Sequence, residues 1–100
     1  MQETYLFRIF TEEYNNVRSI TKRHVESATF ITADGTYEND SEETVIIEIS
    51  GGAAMREIAD EIMTEINTRN NQTCCLLQVI QLRDETLFTA RNNFYKEQTK

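Results

Sequence analysis

The fold of this chain is decided by residues 44–69, which read TVIIEIS, then GG, then AAMREIADEIMTEINTR. The first part is rich in β-branched residues, and Ile46 breaks its polar–apolar alternation, which is typical of a strand that is buried on both faces. Gly51 and Gly52 permit a sharp turn out of such a strand. Apolar side chains then recur at helical spacing. The stretch therefore predicts a buried strand joined directly to an amphipathic helix.

The predicted helix runs over about Ala53–Arg69, and Asn70-Asn71 should end it. We expect Glu57 and Glu61 on its exposed face. Its apolar stripe should pack on one face of a sheet, with Ile58, Ile62 and Ile66 buried. The stripe consists of Ala54, Met55, Ile58, Ala59, Ile62, Met63 and Ile66.

Strands are predicted on both sides of this unit. The segments with β-branched or alternating apolar residues are Thr4–Thr11, Val17–Thr21, Val25–Ala33 and Cys74–Arg83. Asp34-Gly35 is predicted as a tight turn, and Thr36–Glu43 as the return arm of a hairpin or an exposed loop. Residues 86–95 fit either a strand or a short helix.

The fold class that follows is α+β, with a largely antiparallel sheet of four to six strands and one amphipathic helix on one face. At 100 residues the chain is expected to be a single domain, 1–100, with a polar C-terminal tail over 91–100. No apolar run is long enough to span a membrane. The N-terminus has no basic region followed by an apolar stretch, so no signal peptide is expected.

The charge is concentrated in one part of the chain. The formal net charge is −7, and residues 34–73 contain ten acidic and two basic residues. An acidic surface of this kind disfavours nucleic acid and acidic membranes and favours basic partners. A solvated face that keeps the protein soluble explains the same pattern.

The chain shows no pattern typical of catalysis or of cofactor binding. His24 is the only histidine, and Lys22 and Arg23 beside it suggest an exposed basic turn. Cys74 and Cys75 are adjacent and are expected to be small, buried, reduced side chains of a strand. Gly51-Gly52 lacks the further residues of a phosphate-binding loop. We therefore expect no enzyme activity, no metal and no cofactor.

The chain has more apolar residues than one helix can cover. Leu6, Phe10, Phe30, Leu77 and Val79 are predicted to lie on the sheet face opposite the helix. The tail adds Leu87, Phe88, Phe94 and Tyr95, and aromatic residues are enriched at the centres of protein interfaces. These four tail residues are the predicted contact residues, and an oligomer or a larger assembly is expected.

Residues 17–69 also resemble a pattern seen in small proteins of marine tailed bacteriophages. The matching segments are Phe7–Phe10, Val17–Ile20, Ala28–Thr32, Val45–Gly52 and Met55–Ile62. The resemblance implies a virion-associated or accessory structural protein, and it assigns a role to no residue. The acidic helix face and the residues after Asp84 depart from the pattern.

Two functional hypotheses follow. The first is a non-enzymatic viral structural protein, made in the host cytoplasm and located in the virion, as a capsid decoration or head or tail accessory subunit. Its partners would be other virion proteins or copies of itself, without direct contact to nucleic acid or membrane. The alternative is an acidic intracellular inhibitor, a nucleic-acid mimic whose Glu57, Glu61 and Glu65 bind a basic surface of a host protein.

Overall fold

A computed structural model describes residues 3–82 and shows an α+β fold. The helices and strands follow in the order βαββαβ: β1 Thr4–Glu12, α1 Val17–His24, β2 Thr29–Tyr37, β3 Asp40–Gly51, α2 Met55–Asn70 and β4 Leu76–Leu82. The strands form one antiparallel sheet in the order β2-β3-β1-β4. This is the arrangement of the ferredoxin-like fold.

The predicted fold class is confirmed in its main features, since the sheet is antiparallel and has four strands. It differs in having two helices rather than one. The segment predicted as a strand over Val17–Thr21 belongs to α1. Val17, Ile20 and Thr21 are spaced so that all three point to the same side of a helix, and all are fully buried. The Thr21 hydroxyl donates to the Val17 carbonyl oxygen at 2.9 Å, so its polar group is satisfied in the core.

Both helices pack on the same face of the sheet. The core lies between them and the two central strands, where Phe7 pairs with Ile49 and Ile9 pairs with Ile47. From α2 the buried residues are Ala59, Ile62 and Ile66, whereas Ile58 is half-buried, contrary to the prediction. Ile58 lies at the border of the apolar stripe rather than at its centre.

Helix α2 ends where the sequence predicts. Asn71 adopts a left-handed conformation with φ of 52° and donates its N–H to the Asn67 carbonyl oxygen. Asparagine tolerates this conformation better than most residues do. At its start, the capping position is Ala54, whose side chain makes no hydrogen bond to the helix backbone.

The β2–β3 hairpin turns at Glu38-Asn39, and the turn predicted at Asp34-Gly35 is wrong. Glu38 and Asn39 both have positive φ, 51° and 70°, whereas Gly35 does not. Two consecutive positive φ angles fit the two-residue turn whose twist matches that of antiparallel strands. The strands therefore extend four residue pairs beyond the predicted turn, from Asp34 opposite Glu43 to Tyr37 opposite Asp40.

Candidate protein-contact surface

The sheet face opposite the helices, here called the open face, carries a row of apolar side chains. Ile31, Ile46, Phe10 and Leu76 are cross-strand neighbours, one from each of the four strands. Ile46 is only 9% exposed, but Ile31 is 38% and Leu76 65% exposed. The row is therefore buried at its centre and open to solvent at both edges of the sheet. Directly opposed residues of this kind are close enough to pack against one another.

A polar row runs parallel to this apolar row. It consists of Thr29, Glu48, Arg8 and Gln78, again one residue from each strand. The Arg8 guanidinium donates to the Glu48 carboxylate at 2.9 Å and to the Gln78 side-chain oxygen at 3.2 Å. The same guanidinium lies 5.3 Å from the centre of the Phe10 ring, at cation–π distance. The only two charges of this row thus neutralise each other.

Beyond the polar row the open face is apolar again at β1 and β4. Leu6 pairs with Ile80 on β4 and with Ser50 on β3. All of these positions alternate along their strands with the buried residues of the helix side, which is why they share the opposite face. These three rows of the open face contain one ion pair, Arg8–Glu48, and no other charge, so burying them in a protein contact would leave no charge unpaired.

Two of the five residues predicted on the face opposite the helix lie there, namely Leu6 and Phe10. Phe30, Leu77 and Val79 lie on the helix side, because they pair with Ile47, Ile9 and Phe7 respectively. Their strands begin one or more residues away from the predicted boundaries. Alternation also shows only which residues of a strand share a face, and not which of the two sheet faces that is. The residues that the sequence reasoning missed are Arg8, Ile31, Ile46, Glu48, Leu76 and Gln78.

The predicted contact residues Leu87, Phe88, Phe94 and Tyr95 lie outside the described residues, and so does the tail over 91–100. The predicted acidic face lies on α2. Glu57 and Glu61 are exposed, as expected, but Glu65 is half-buried. The Glu65 carboxylate contacts three basic side chains and is not a solvent-facing carboxylate without partners. These are Arg23 and His24 of α1 and Arg69 of α2.

His24 takes part in this network and is not in a loop. It is the last residue of α1, and its Nε2 lies 2.8 Å from the Glu65 carboxylate, while its Nδ1 lies 3.6 Å from that of Glu61. Lys22, Arg23 and His24 also place basic groups at the C-terminus of a helix, where the helix dipole favours them. The arrangement joins the two helices at the protein surface.

The two cysteines lie just before β4, in different surroundings. Cys74 is exposed, contrary to the prediction, and Cys75 is half-buried. The Cys75 thiol lies 3.2 Å from the Gln72 amide nitrogen and 3.3 Å from the Asn67 side-chain oxygen. Burial raises the pKa of the Cys75 thiol, although hydrogen bonds with Thr11 and Gln72 lower it in part. Within residues 3–82 no group of three or more His, Cys, Asp or Glu side chains could hold a metal ion.

Gln72 connects this region to the sheet. Its side-chain oxygen accepts from the Thr11 hydroxyl and from the backbone N–H of Glu12, both at 3.1 Å. Its amide nitrogen donates to the Asn67 side-chain oxygen at 2.8 Å. A single side chain therefore ties the α2–β4 connection to the end of β1. Over the described part of the chain, no helix is long and apolar enough to cross a membrane.

Comparisons with protein-family models and with curated proteins find no match. Solved structures match in fold. A Bacillus cereus protein related to NIF3 has a TM-score of 0.66 at 14% identity over 83% of this chain, which spans only 26% of that protein. A DUF3240 family protein from Shewanella baltica OS155 has a TM-score of 0.61 at 16% identity over 89% of this chain and all of its own.

CutA from Synechococcus elongatus, in complex with Bis-Tris, has a TM-score of 0.58 at 7% identity, covering 86% of this chain and 89% of its own. The fold described above is therefore one that several different bacterial proteins share. At these identities the likeness concerns the fold alone, since a single fold supports many functions.

Proposed function

We propose that this chain is a non-enzymatic structural subunit that acts through protein–protein contacts and associates with copies of itself. The observation that carries the proposal is the apolar row across the open face, Ile31–Ile46–Phe10–Leu76, whose ends are 38% and 65% exposed. Exposed apolar patches of this kind usually mark interaction surfaces. The neutralised Arg8–Glu48 pair in the next row supports the same role, because it lowers the cost of burying the face.

The finer part of the proposal is the setting: a phage virion, with the chain as a capsid decoration or a head or tail accessory subunit. It rests on the resemblance of residues 17–69 to small structural proteins of marine tailed phages. Leu87, Phe88, Phe94 and Tyr95 are proposed as additional contact residues. Mass spectrometry of purified virions from a culture in which this chain is produced tests the setting. Finding the chain only in the soluble host fraction would contradict it.

Self-association is tested with one charge placed at the edge of the open face. We expect the wild-type chain to sediment as an oligomer and Ile31→Lys to sediment as a smaller species, because the added charge removes the open-face contact. Thr32→Lys is the matched control, because Thr32 is the neighbouring exposed residue and points to the other side of β2. Thermal unfolding followed by circular dichroism should show that both variants fold. A wild-type chain that stays monomeric at every accessible concentration would refute the proposal.

The predicted tail contacts are tested in the same way. Phe88→Ser with Phe94→Ser should weaken the association of the full-length chain, whereas Thr89→Ser should leave it unchanged. If the double variant unfolds while the wild-type chain never associates, these residues belong to the core of the monomer and not to a contact.

The alternative, an acidic inhibitor that mimics nucleic acid, is favoured by one observation. Glu57 and Glu61 lie one helical turn apart on α2, and both are exposed. The third residue of the proposed array, Glu65, is already engaged by Arg23, His24 and Arg69, and Glu61 lies 3.6 Å from His24, so that Glu57 and Glu61 are the two carboxylates left exposed. The test is whether the chain displaces duplex DNA from a basic DNA-binding protein, and whether Glu57→Gln with Glu61→Gln abolishes that displacement.

A further inference from the structure

Strand β4 is an edge strand without a charged residue. It reads LLQVIQL over Leu76–Leu82 and has β1 as its single neighbour among residues 3–82. Sheet edges are usually protected against pairing by charges, proline or bulges. The other edge, β2, has such protection, because Asp34 and the acidic residues opposite it on β3 line the end of the hairpin. Of the two edges of this sheet, β4 is therefore the one suited to receiving another strand.

Both sides of β4 also present exposed apolar surface. Leu76 is 65% exposed on the open face, and Val79 is 41% exposed on the helix side. Beside Val79 the surface has a shallow, mainly apolar groove next to the start of α2. The groove is lined by Tyr5, Phe7, Ala53, Arg56 and Val79. A strand added to β4 would cover these side chains and would also pair the backbone groups that face away from β1.

We propose that two copies of this chain pair through β4, antiparallel and centred on Gln78, to form one continuous eight-stranded sheet. In this register Gln78 lies opposite the partner's Gln78. Leu77 lies opposite the partner's Val79 on the helix side. Leu76 lies opposite the partner's Ile80 on the open face. Each apolar side chain of the strand centre thus meets an apolar one, and the two glutamines meet each other.

A neighbouring register is less favourable. Centring the pair on Val79 would place Gln78 opposite the partner's Ile80 and Leu77 opposite the partner's Gln81, so that polar and apolar side chains face each other.

The hydrogen bonds of Gln78 are also compatible with the proposed pairing. Its side-chain oxygen accepts from Arg8 at 3.2 Å, while its amide nitrogen makes no hydrogen bond within residues 3–82 and can donate to the partner's amide.

Charge favours a second copy at this edge and at no other. With a net charge of −7, two copies repel each other in most orientations. Pairing through β2 would bring together two hairpins that each carry Asp34, Glu38, Asp40, Glu42 and Glu43. Pairing through β4 brings together two uncharged strands. Of the ionic side chains beside it within residues 3–82, Arg8 is paired with Glu48 and Arg56 with Asp60. The charge pattern thus directs self-association to β4.

This inference rests on the proposed function and deepens it, because it names the partner and the edge that join two subunits. The two open faces would lie side by side in the joined sheet and form one larger apolar face. Further subunits could then contact that face.

The test is cross-linking of the full-length chain with Cys74 and Cys75 both changed to Ser. In this background Gln78→Cys places two thiols directly opposite each other in the proposed register, within the Cα separation that a disulfide bridges. Gln81→Cys is the matched control, because Gln81 is also an exposed residue of β4 but lies opposite position 75 of the partner. We expect Gln78→Cys to form disulfide dimers under mild oxidation at least ten-fold faster than Gln81→Cys.

Equal rates for the two variants would overturn the inference. So would the absence of any disulfide dimer, which is also the result expected if residues 83–100 pair with β4. Faster dimer formation by Val79→Cys than by Gln78→Cys would overturn the register. The variant Ile31→Lys separates this inference from the proposed function. If it abolishes oligomers while Gln78→Cys never cross-links, the open face is the contact and β4 is not. If Gln78→Cys cross-links and Ile31→Lys has no effect, β4 pairing stands and the open-face contact fails.

Discussion

At the scale of single residues, Cys74 and Cys75 show how neighbours in the sequence can differ in chemistry. Cys74 is exposed, whereas the Cys75 thiol is half-buried and hydrogen-bonded by Gln72 and Asn67. The adjacent positions give no sign of this difference, because it depends on Gln72, which folds back onto β1. The expectation of a buried thiol is wrong for Cys74, which lies before β4 rather than within it.

The two thiols should therefore react at different rates. Since the thiolate is the reactive form and burial raises the pKa of Cys75, iodoacetamide at pH 8 should label Cys74 several-fold faster than Cys75. Peptide mapping by mass spectrometry measures both rates in one sample. The same protein in 8 M urea is the control, because unfolding should bring the two rates close together. Equal rates in the native protein would mean that Cys75 is not shielded.

At the scale of helices and strands, the sequence predicts α2 well and α1 poorly. The stripe of α2 extends over 13 residues, from Ala54 to Ile66, so its helical period is clear even though three of its members are isoleucines. Helix α1 has eight residues, VRSITKRH, among which Val17, Ile20 and Thr21 are β-branched and favour a strand by local propensity. Packing against α2 decides in favour of the helix, aided by a hydrogen bond between Asn70 and Asn16 at 2.9 Å. The secondary structure of such short segments depends on tertiary contacts, which cannot be inferred from the local sequence pattern.

The core side of α2 gives a direct test of the packing. Ile62 is fully buried in the main cluster, so Ile62→Ala should lower the free energy of unfolding by about 2–5 kcal/mol through the cavity it leaves. Ile58→Ala should cost less, because Ile58 is only half-buried. Urea unfolding of the two variants and the wild-type chain gives the comparison. If Ile58→Ala lowered the free energy of unfolding more than Ile62→Ala does, the side of α2 assigned to the core would be wrong.

The hairpin turn gives a second test at this scale. Glu38 and Asn39 both have positive φ, which Asn-Gly adopts with less strain. Replacing them by Glu38→Asn with Asn39→Gly should raise the free energy of unfolding by about 1 kcal/mol, because the left-handed conformation costs most residues about 1–2 kcal/mol and glycine avoids that cost. Gly35→Ala is the contrasting variant. Its Cβ would lie 2.5 Å from the Thr44 hydroxyl oxygen, so it should destabilise the hairpin. Thermal unfolding measures both effects, and a stabilising Gly35→Ala would show that Gly35 is not needed for close packing.

At the scale of the whole molecule, sequence reasoning anticipated a sheet face that no helix among residues 3–82 covers, but not the composition of that face. It placed Leu6 and Phe10 correctly, because both lie in β1, whose boundaries were nearly right. The remaining residues of the face come from β2, β3 and β4, and which residues meet across strands depends on register. Register follows from the turn at Glu38-Asn39 and from the βαββαβ topology, neither of which can be obtained from alternation alone.

The response of binding to salt separates the two functional hypotheses at this scale. Two copies that each carry a net charge of −7 repel each other. Salt screens this repulsion, with a screening length of about 10 Å at 0.1 M. If the chain associates through its open face and β4, raising sodium chloride from about 0.05 to 0.5 M should therefore strengthen self-association, since the apolar contacts are not weakened by screening.

An acidic chain that binds a basic host protein should show the opposite trend, because its attraction to that partner is screened. Sedimentation equilibrium over this salt range measures self-association directly. Arg8→Gln is the control variant: it leaves Glu48 unpaired on the open face and should weaken association at every salt concentration. Self-association that weakens steadily as salt rises would mean that opposite charges hold the copies together, and the apolar open face would not be the contact.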